Sequence, residues 1–271
     1  MSWYSHYACR EAPFSKEIPD TELWTPPSLT AIVDSLDEAI RQRQSAFLVA
    51  DSGFGKTCLL RALRQRLLST SCRLTYCHNA TLGRRDFYRQ LCHALGLAPS
   101  ATAAAVFNTI NQHVETLARD RVHPVFVLDE AHLLHQDTLD HLHILMNYDF
   151  DSRALLSLIL VGLPELELRL GGKHNRALYT RLHVRIRVPA LTVADSEAYL
   201  AYRLTRVGAR ADVLQPDAIA RLHDATQGGM RELDRIATDA LKLGAERRRP
   251  RVDAQTVDDV IDRLELPRSP R

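Results

Sequence analysis

Ala46-Phe47-Leu48-Val49-Ala50-Asp51-Ser52-Gly53-Phe54-Gly55-Lys56-Thr57 is the stretch that decides the fold. Its first five residues read as a buried strand, and Thr57–Leu68 has the spacing of a helix. A strand that runs through a glycine turn into a helix is the setting of a phosphate-binding loop. Gly53 and Gly55 let the backbone curl so that its N–H groups face phosphate oxygens at a helix N-terminus. Lys56 adds a point charge for the β and γ phosphates of ATP, and the Thr57 hydroxyl is placed to ligate Mg2+. Ser52, Gly53, Phe54, Gly55, Lys56, Thr57 and Cys58 are therefore the expected nucleotide contacts. The full pattern G-x-x-x-x-G-K-[ST] has glycine where this chain has Ala50. Alanine adds one methyl group and reaches most backbone conformations, so binding is expected to survive.

Downstream, Pro124–Leu128 is an apolar strand that ends in Asp129 and Glu130. Delivering two carboxylates from a buried strand is costly unless they have partners. Mg2+ and an attacking water supply them: Asp129 would hold the metal's shell and Glu130 would polarise the water. An N-cap pair opening the next helix is the plainer reading of two acids in isolation. With a phosphate-binding loop upstream, the second half of an ATP site is the better one. Asp129-Glu130-Ala131-His132 also spells the box of a helicase class, but about 140 following residues cannot hold a second RecA-like domain and the helices seen there. His132, His135, His141 and His143 match no zinc spacing and read as surface and hinge histidines.

Around these motifs short apolar runs alternate with helical ones. Strands are expected at 46–50, 73–78, 124–128, 156–161 and 184–188. Helices are expected at 28–43, 57–68, 84–95, 102–119, 138–145 and 175–182. That alternation implies βαβ units and a five-stranded parallel sheet covered on both faces. After Pro189 only helical segments remain, near 194–207, 215–226, 229–245 and 253–264, with Asp253 placed as an N-cap. The expected domains are an N-terminal arm (1–28) packed on the core surface, an α/β nucleotide-binding core (29–190) and a helical lid (191–271).

Composition narrows the class. Hydrophobic residues at 45% and charged ones at 25% suit a globular chain with a sizeable core. The formal charge of +2 says little about partners, so the placement of charge matters more. Five cysteines without a C-x-x-C pair read as reduced thiols. The longest nearly apolar run, Ala154–Leu163, is far short of the roughly 20 residues of a membrane helix. No basic stretch leads into an apolar one at the N-terminus, so a cytoplasmic protein with no membrane partner is expected.

Several segments follow a known order: Glu11–Ser15, the phosphate loop, His78–Leu82, Leu128–Leu134, Leu145–Ser152, Leu160–Leu166 and Gly228–Arg231. That order resembles the ExeA/GspA-like AAA+ ATPases over nearly the whole chain, a group similar to the TnsC, TniB and IstB ATPases of transposons. The resemblance implies an AAA+ P-loop NTPase with a C-terminal helical lid, an ATPase that forms a ring or helical filament on double-stranded DNA. It implies a transposase or target-selection protein as partner. A secretion-apparatus ATPase is the alternative, and secretion-type members carry a membrane span and a cell-wall-binding region that these 271 residues lack. Such proteins project an arginine toward a neighbour's nucleotide from the helix before the fifth strand. Within the acid-free block Leu168–Ala194, that points to Arg181, with Arg176 as the alternative. The turn Gln227-Gly228-Gly229 places Arg231 at a helix start, suited to a lid arginine that senses the γ-phosphate. Likeness to TnsC also points to Arg84, Arg85 and Arg89, with Tyr88 beside them, as phosphate-backbone contacts. The run Glu246–Arg251 is either a second DNA contact or a solvated loop. Members commonly have a polar residue where this chain has Leu163; with Ala50, that raises a nucleotide-gated scaffold of little turnover as a further reading.

Overall fold

The computed structural model describes residues 2–78, 81–99 and 102–264. The chain divides into two units. One holds Pro27–Asp51 and Lys56–Val188; the other holds Met1–Pro26, Ser52–Gly55 and Pro189–Arg271.

The first unit is α/β. In chain order its elements are α1 (Pro27–Arg41), β1 (Ser45–Val49), α2 (Lys56–Leu67), β2 (Cys72–Cys77), α3 (Arg84–Ala94), α4 (Ala103–Arg119), β3 (His123–Leu128), α5 (Gln136–Leu145), β4 (Ser157–Gly162), α6 (Glu165–Gly171), α7 (Arg176–Tyr179) and β5 (Leu182–Arg187). The five strands run parallel in the order β2-β3-β4-β1-β5. Burial explains their composition. Every residue of β1 and β4 is buried, and only the first of β3 is not, so these three read as continuous apolar runs. The edge strands β2 and β5 alternate buried and exposed positions, and β5 turns His183, Arg185 and Arg187 to solvent. Phe47, Phe87 and Phe126 anchor the core. Parallel strands bring their C-terminal ends to one sheet edge, with Val49 opposite both Gly162 and Arg187, and Leu128 opposite Leu160.

Two expectations need correction. The helix expected over 175–182 shrinks to the four residues of α7, because Leu182 already pairs with Ser45 at the start of β5. Conversely, α6 was not anticipated. Its Glu-Leu-Glu-Leu-Arg-Leu alternation mimics a strand, yet Leu166 and Leu170 are buried one helical turn apart while Leu168 is 78% exposed.

The second unit packs α8 (Val193–Arg206), α9 (Pro216–Thr226), α10 (Met230–Glu246) and α11 (Ala254–Leu264). A capping box opens α8, with Thr192 and Asp195 satisfying each other's backbone N–H. The Asp253 carboxylate accepts from the Thr256 N–H at 2.9 Å and caps α11. The N-terminal arm belongs here. Tyr7 donates to the Leu241 carbonyl (3.0 Å), Tyr202 to that of Glu22 (2.8 Å), and Arg203 to those of Pro13 (3.0 Å) and Ser15 (2.7 Å). Within this unit the arm is anchored on α8 and α10.

Candidate nucleotide site

The loop after β1 begins with Ala50, which is 2% exposed and donates its N–H to the Gly162 carbonyl (3.2 Å). Its φ lies outside the left-handed region, so alanine is unstrained where the full motif has glycine. The Lys56 ammonium, at the first residue of α2, donates to the carbonyls of Ala50 (2.7 Å) and Asp51 (3.0 Å). Lys56 is only 8% exposed, and a buried ammonium needs such acceptors. A phosphate oxygen is a stronger acceptor than a neutral carbonyl, because both partners then carry charge. Thr57, the next residue, is exposed on the first turn of α2, and Cys58 is half-buried.

Ser52–Gly55 group with the helical unit. Arg231, in the first turn of α10, donates its backbone N–H to the Gly53 carbonyl (3.2 Å) and its guanidinium to Ser52 Oγ (3.0 Å). Gly53 sits at φ +86°, and a Cβ there would lie 3.0 Å from that of Arg231. A side chain at 53 would therefore be both strained and crowded.

Asp129 follows β3 and is 7% exposed. Its Oδ2 accepts from the Tyr76 hydroxyl at 2.6 Å and its Oδ1 from the Glu130 N–H at 2.9 Å. Burial, followed by the bond to Asp129, pushes the Tyr76 hydroxyl far above its ordinary range, so it stays a donor. Tyr76 also stacks on His78, with ring centroids 6.0 Å apart. Sequence reading missed Tyr76. The β2–β3 register pairs it with Val127, which puts it on the face shared by Val127 and Asp129. Glu130 adopts φ +54° and is half-exposed, with its Oε2 3.5 Å from His132 Nδ1.

β3 and β1 are separated only by β4, so the ends of the two strands that lead to Asp129 and to Ala50 lie roughly 10 Å apart on one sheet edge. No group of three or more His, Cys, Asp or Glu among the described residues could hold a metal ion. The Mg2+ of nucleotide sites needs no such cage, since one or two protein oxygens plus phosphates complete its shell. Thr57 and Asp129 fit that requirement: each carboxylate oxygen of Asp129 keeps a lone pair beyond its one hydrogen bond.

The expected arginines fare differently. Arg181, just beyond α7, is paired with Asp151 (2.7 Å) and donates to the Ala177 carbonyl (3.0 Å), whereas Arg176 is exposed. Arg84 and Arg85 open α3 on the surface and Arg89 is partly buried. Tyr88 is not beside them on that surface. It is 3% exposed, packed edge-on to Phe87 and Phe107, with its hydroxyl 3.1 Å from His141 Nδ1. Asn79 and Ala80 of the His78–Leu82 segment lie outside the described residues. The histidines are dispersed among other partners: His135 contacts the Thr81 carbonyl, and His132 faces Leu163.

Residues 39–170 match the AAA domain family. Over 196 residues, 72% of this chain, the sequence is 30% identical to the general secretion pathway protein A of Aeromonas hydrophila. The match spans 36% of that relative, little more than a third of its length. Among solved structures, Cdc6p from Pyrobaculum aerophilum superposes with a TM-score of 0.71 at 18% identity, covering 95% of this chain and 72% of its own. The ORC1 protein of Aeropyrum pernix, solved in complex with DNA, gives 0.68 at 20% identity, covering 94% and 70%. The parallel sheet, its flanking helices and the C-terminal helices together have the AAA+ P-loop NTPase fold.

Proposed function

We propose that this chain binds Mg-ATP and hydrolyses it as an oligomeric AAA+ ATPase that engages double-stranded DNA and helps a transposase select or engage its target. The observation that carries the ATPase reading is the sheet edge itself. Lys56, held only 2.7–3.0 Å from loop carbonyls, and the Asp129–Glu130 pair emerge on the same side of the sheet. Lys56 would exchange those carbonyls for β and γ phosphate oxygens. Thr57 and Asp129 would hold Mg2+, which neutralises charge between the two phosphates. Glu130 would orient the water for in-line attack. Arg231, already bonded to Ser52 and Gly53, is the residue of α10 suited to report the state of that loop. Arg181 would have to leave Asp151 to serve a neighbouring subunit, whereas Arg176 is exposed and would not.

The DNA reading is supported by the exposed Arg84 and Arg85 with Arg89 on α3, and by a fold relative solved in complex with DNA. Such contacts would follow the phosphate backbone and weaken steeply with salt. A specific observation favours a second reading, a secretion-apparatus ATPase: the 30% identity to a general secretion pathway protein A. No helix among the described residues is long and apolar enough to cross a membrane. The test is steady-state ATP hydrolysis with and without duplex DNA, comparing the native chain with Glu130→Gln. DNA-stimulated turnover that vanishes in the variant is the expected result. Turnover indifferent to DNA, with no DNA retention at physiological salt, would move the assignment to the secretion reading. Tight ATP binding without turnover would leave a nucleotide-gated scaffold.

A further inference from the structure

The turn that carries Glu130 is held from an unexpected direction. A non-glycine residue in the left-handed region costs about 1–2 kcal/mol, so the surroundings must impose the φ of +54° at Glu130. They do so from α6. The Arg169 guanidinium donates to the carbonyls of His132 and Leu134 (the latter at 2.8 Å), and the Leu133 N–H closes back onto the Glu130 carbonyl at 2.9 Å. Two protein carbonyls fix this arginine, which lies in the acid-free block Leu168–Ala194.

Between Glu130 and the end of β4 lies one imidazole. His132 Nδ1 is 3.5 Å from Glu130 Oε2 and 3.4 Å from the Leu163 backbone nitrogen. The ring is 12% exposed and rests on Gly162, where a Cβ would come within 3.2 Å of both the His132 backbone nitrogen and Nδ1. A side chain there would crowd the ring and Leu166 Cδ2 (3.1 Å), and the ring would have to give by a few tenths of an ångström. Nδ1 can accept the Leu163 N–H or donate its own hydrogen to Glu130, but one nitrogen does not do both at once. In the first arrangement Nδ1 carries no hydrogen for the Glu130 carboxylate and leaves it unheld; in the second it holds that carboxylate. Both distances are about half an ångström longer than a formed bond, and contacts of this kind tighten when substrate arrives.

The geometry points to His132 as the positioning residue for Glu130, with Arg169 and Gly162 as the supports that seat it. Resting on the reading of Glu130 as the water-orienting carboxylate, this ties that carboxylate to the strand end at Leu163, where the chain offers a backbone N–H and no polar side chain. His132 acts through Glu130 and touches no reacting atom.

The experiment uses the full chain with ATP, Mg2+ and duplex DNA. It compares Glu130→Gln, His132→Ala, His132→Asn, Gly162→Ala and the double variant Glu130→Gln/His132→Ala. Melting midpoints and binding of a fluorescent ATP analogue accompany kcat and KM. His132→Ala is expected to lower kcat about tenfold to a hundredfold, the scale of an ångström of misplacement. Nucleotide affinity should stay within about threefold, since the contact matters only in turnover. His132→Asn, whose amide lies near the Nδ1 position, should recover most of the rate, and Gly162→Ala should behave as His132→Ala does. Adding His132→Ala to Glu130→Gln should cost nothing more, because both act through one carboxylate. Unchanged kcat in His132→Ala, or an asparagine no better than alanine, overturns the inference while leaving the ATPase reading intact. If His132→Ala melts early, Gly162→Ala and His132→Asn decide by the same criteria. Native turnover that survives Glu130→Gln overturns the role of Glu130 first, and this inference with it.

Discussion

Each unit buries a cation and keeps a carboxylate largely out of water, and their partners set the two apart. In the α/β unit, Lys56 leans on carbonyls two places along its own loop, and Asp129 on one tyrosine hydroxyl and the next N–H. In the helical unit, Arg203 (5% exposed) donates to two arm carbonyls, to Tyr199 Oη (2.6 Å) and to Asp234 (3.4 Å). Asp234 in turn accepts from Tyr199 at 2.7 Å. Partners gathered from distant segments fasten a fold, because losing the central group strands all of them at once. Carbonyls of its own loop let Lys56 change company when a ligand arrives, whereas Asp129 is also held by Tyr76 from a neighbouring strand. Buried charge alone therefore does not mark a functional site.

The largest effect that comparison predicts is structural. Arg203→Met should destabilise the helical unit by about 3–5 kcal/mol, the scale for removing one member of a buried charged network. It should also release the arm. Trp3 and Trp24 are the only tryptophans in the chain and both lie in the arm, with Trp24 packed 5.4 Å from the Tyr199 ring. Urea denaturation followed by tryptophan fluorescence therefore reads this unit alone. A midpoint unmoved by Arg203→Met would break the contrast.

Lys56→Ala should do the opposite, sparing stability and removing ligand. Charge-assisted hydrogen bonds are each worth about 1.5–3 kcal/mol, so nucleotide affinity should fall about tenfold to a hundredfold. The carbonyls of Ala50 and Asp51 remain free to take water, and the melting midpoint should hold. Equilibrium titration with a fluorescent ATP analogue checks the first part, and calorimetry the second. Next in size is Tyr76→Phe, which strips from Asp129 one hydrogen bond to a carboxylate, about 1.5–3 kcal/mol, of which only the difference between the metal-free and metal-bound states bears on Mg2+. It should appear as a higher Mg2+ concentration for half-maximal ATP-analogue binding. No shift in Mg2+ dependence would demote Tyr76 to a packing role.

How much of this was legible in the sequence follows the same divide. β1, β3 and β4 were readable because burial on both faces writes a continuous apolar run, and the candidate site residues lie one to eight residues past the ends of β1 and β3. Lys56, Thr57, Asp129 and Glu130 needed no knowledge of what lies across space. Tyr76 did, because its bond to Asp129 depends on the β2–β3 register across 53 residues of chain. Arg169 and Arg203 bond backbone carbonyls, which every residue carries, so nothing in the neighbouring sequence signals them. Tyr88 misled for a related reason: its flanking arginines suggested a surface, while the helical period turned it inward against Phe107. α6 failed because six residues of alternating charge and leucine satisfy the period of a strand as well as that of a short helix.

The smallest prediction sharpens the comparison by sign. Burial, followed by the charge of Arg43, lowers His123 from 6.5 to about 4 in the α/β unit. Between those values the unfolded chain binds a proton that the folded one refuses. This group's contribution is thus present above about pH 6.5 and is lost as pH falls toward 4. In the helical unit burial is again the larger cause and raises Asp234 from 3.8 to about 6, against the pull of Arg203 and Tyr199. There the folded chain holds a proton that the unfolded one releases, so stability is full below about pH 4 and declines as pH rises through 6. Asp212, Asp253 and Asp259 of the same unit are held below their ordinary value by hydrogen bonds first, and their window lies under pH 4. Over pH 4.5–6.5 the two units should therefore slope in opposite directions. Hydrogen exchange at β3 and β4 amides reads one slope and tryptophan fluorescence the other. His123→Asn should reduce only the first, with His113 and His141, also lowered by burial, keeping part of it, and Asp234→Asn only the second. Slopes of one sign in both units, unaffected by either substitution, would mean that burial acts on these two groups far less than their surroundings imply.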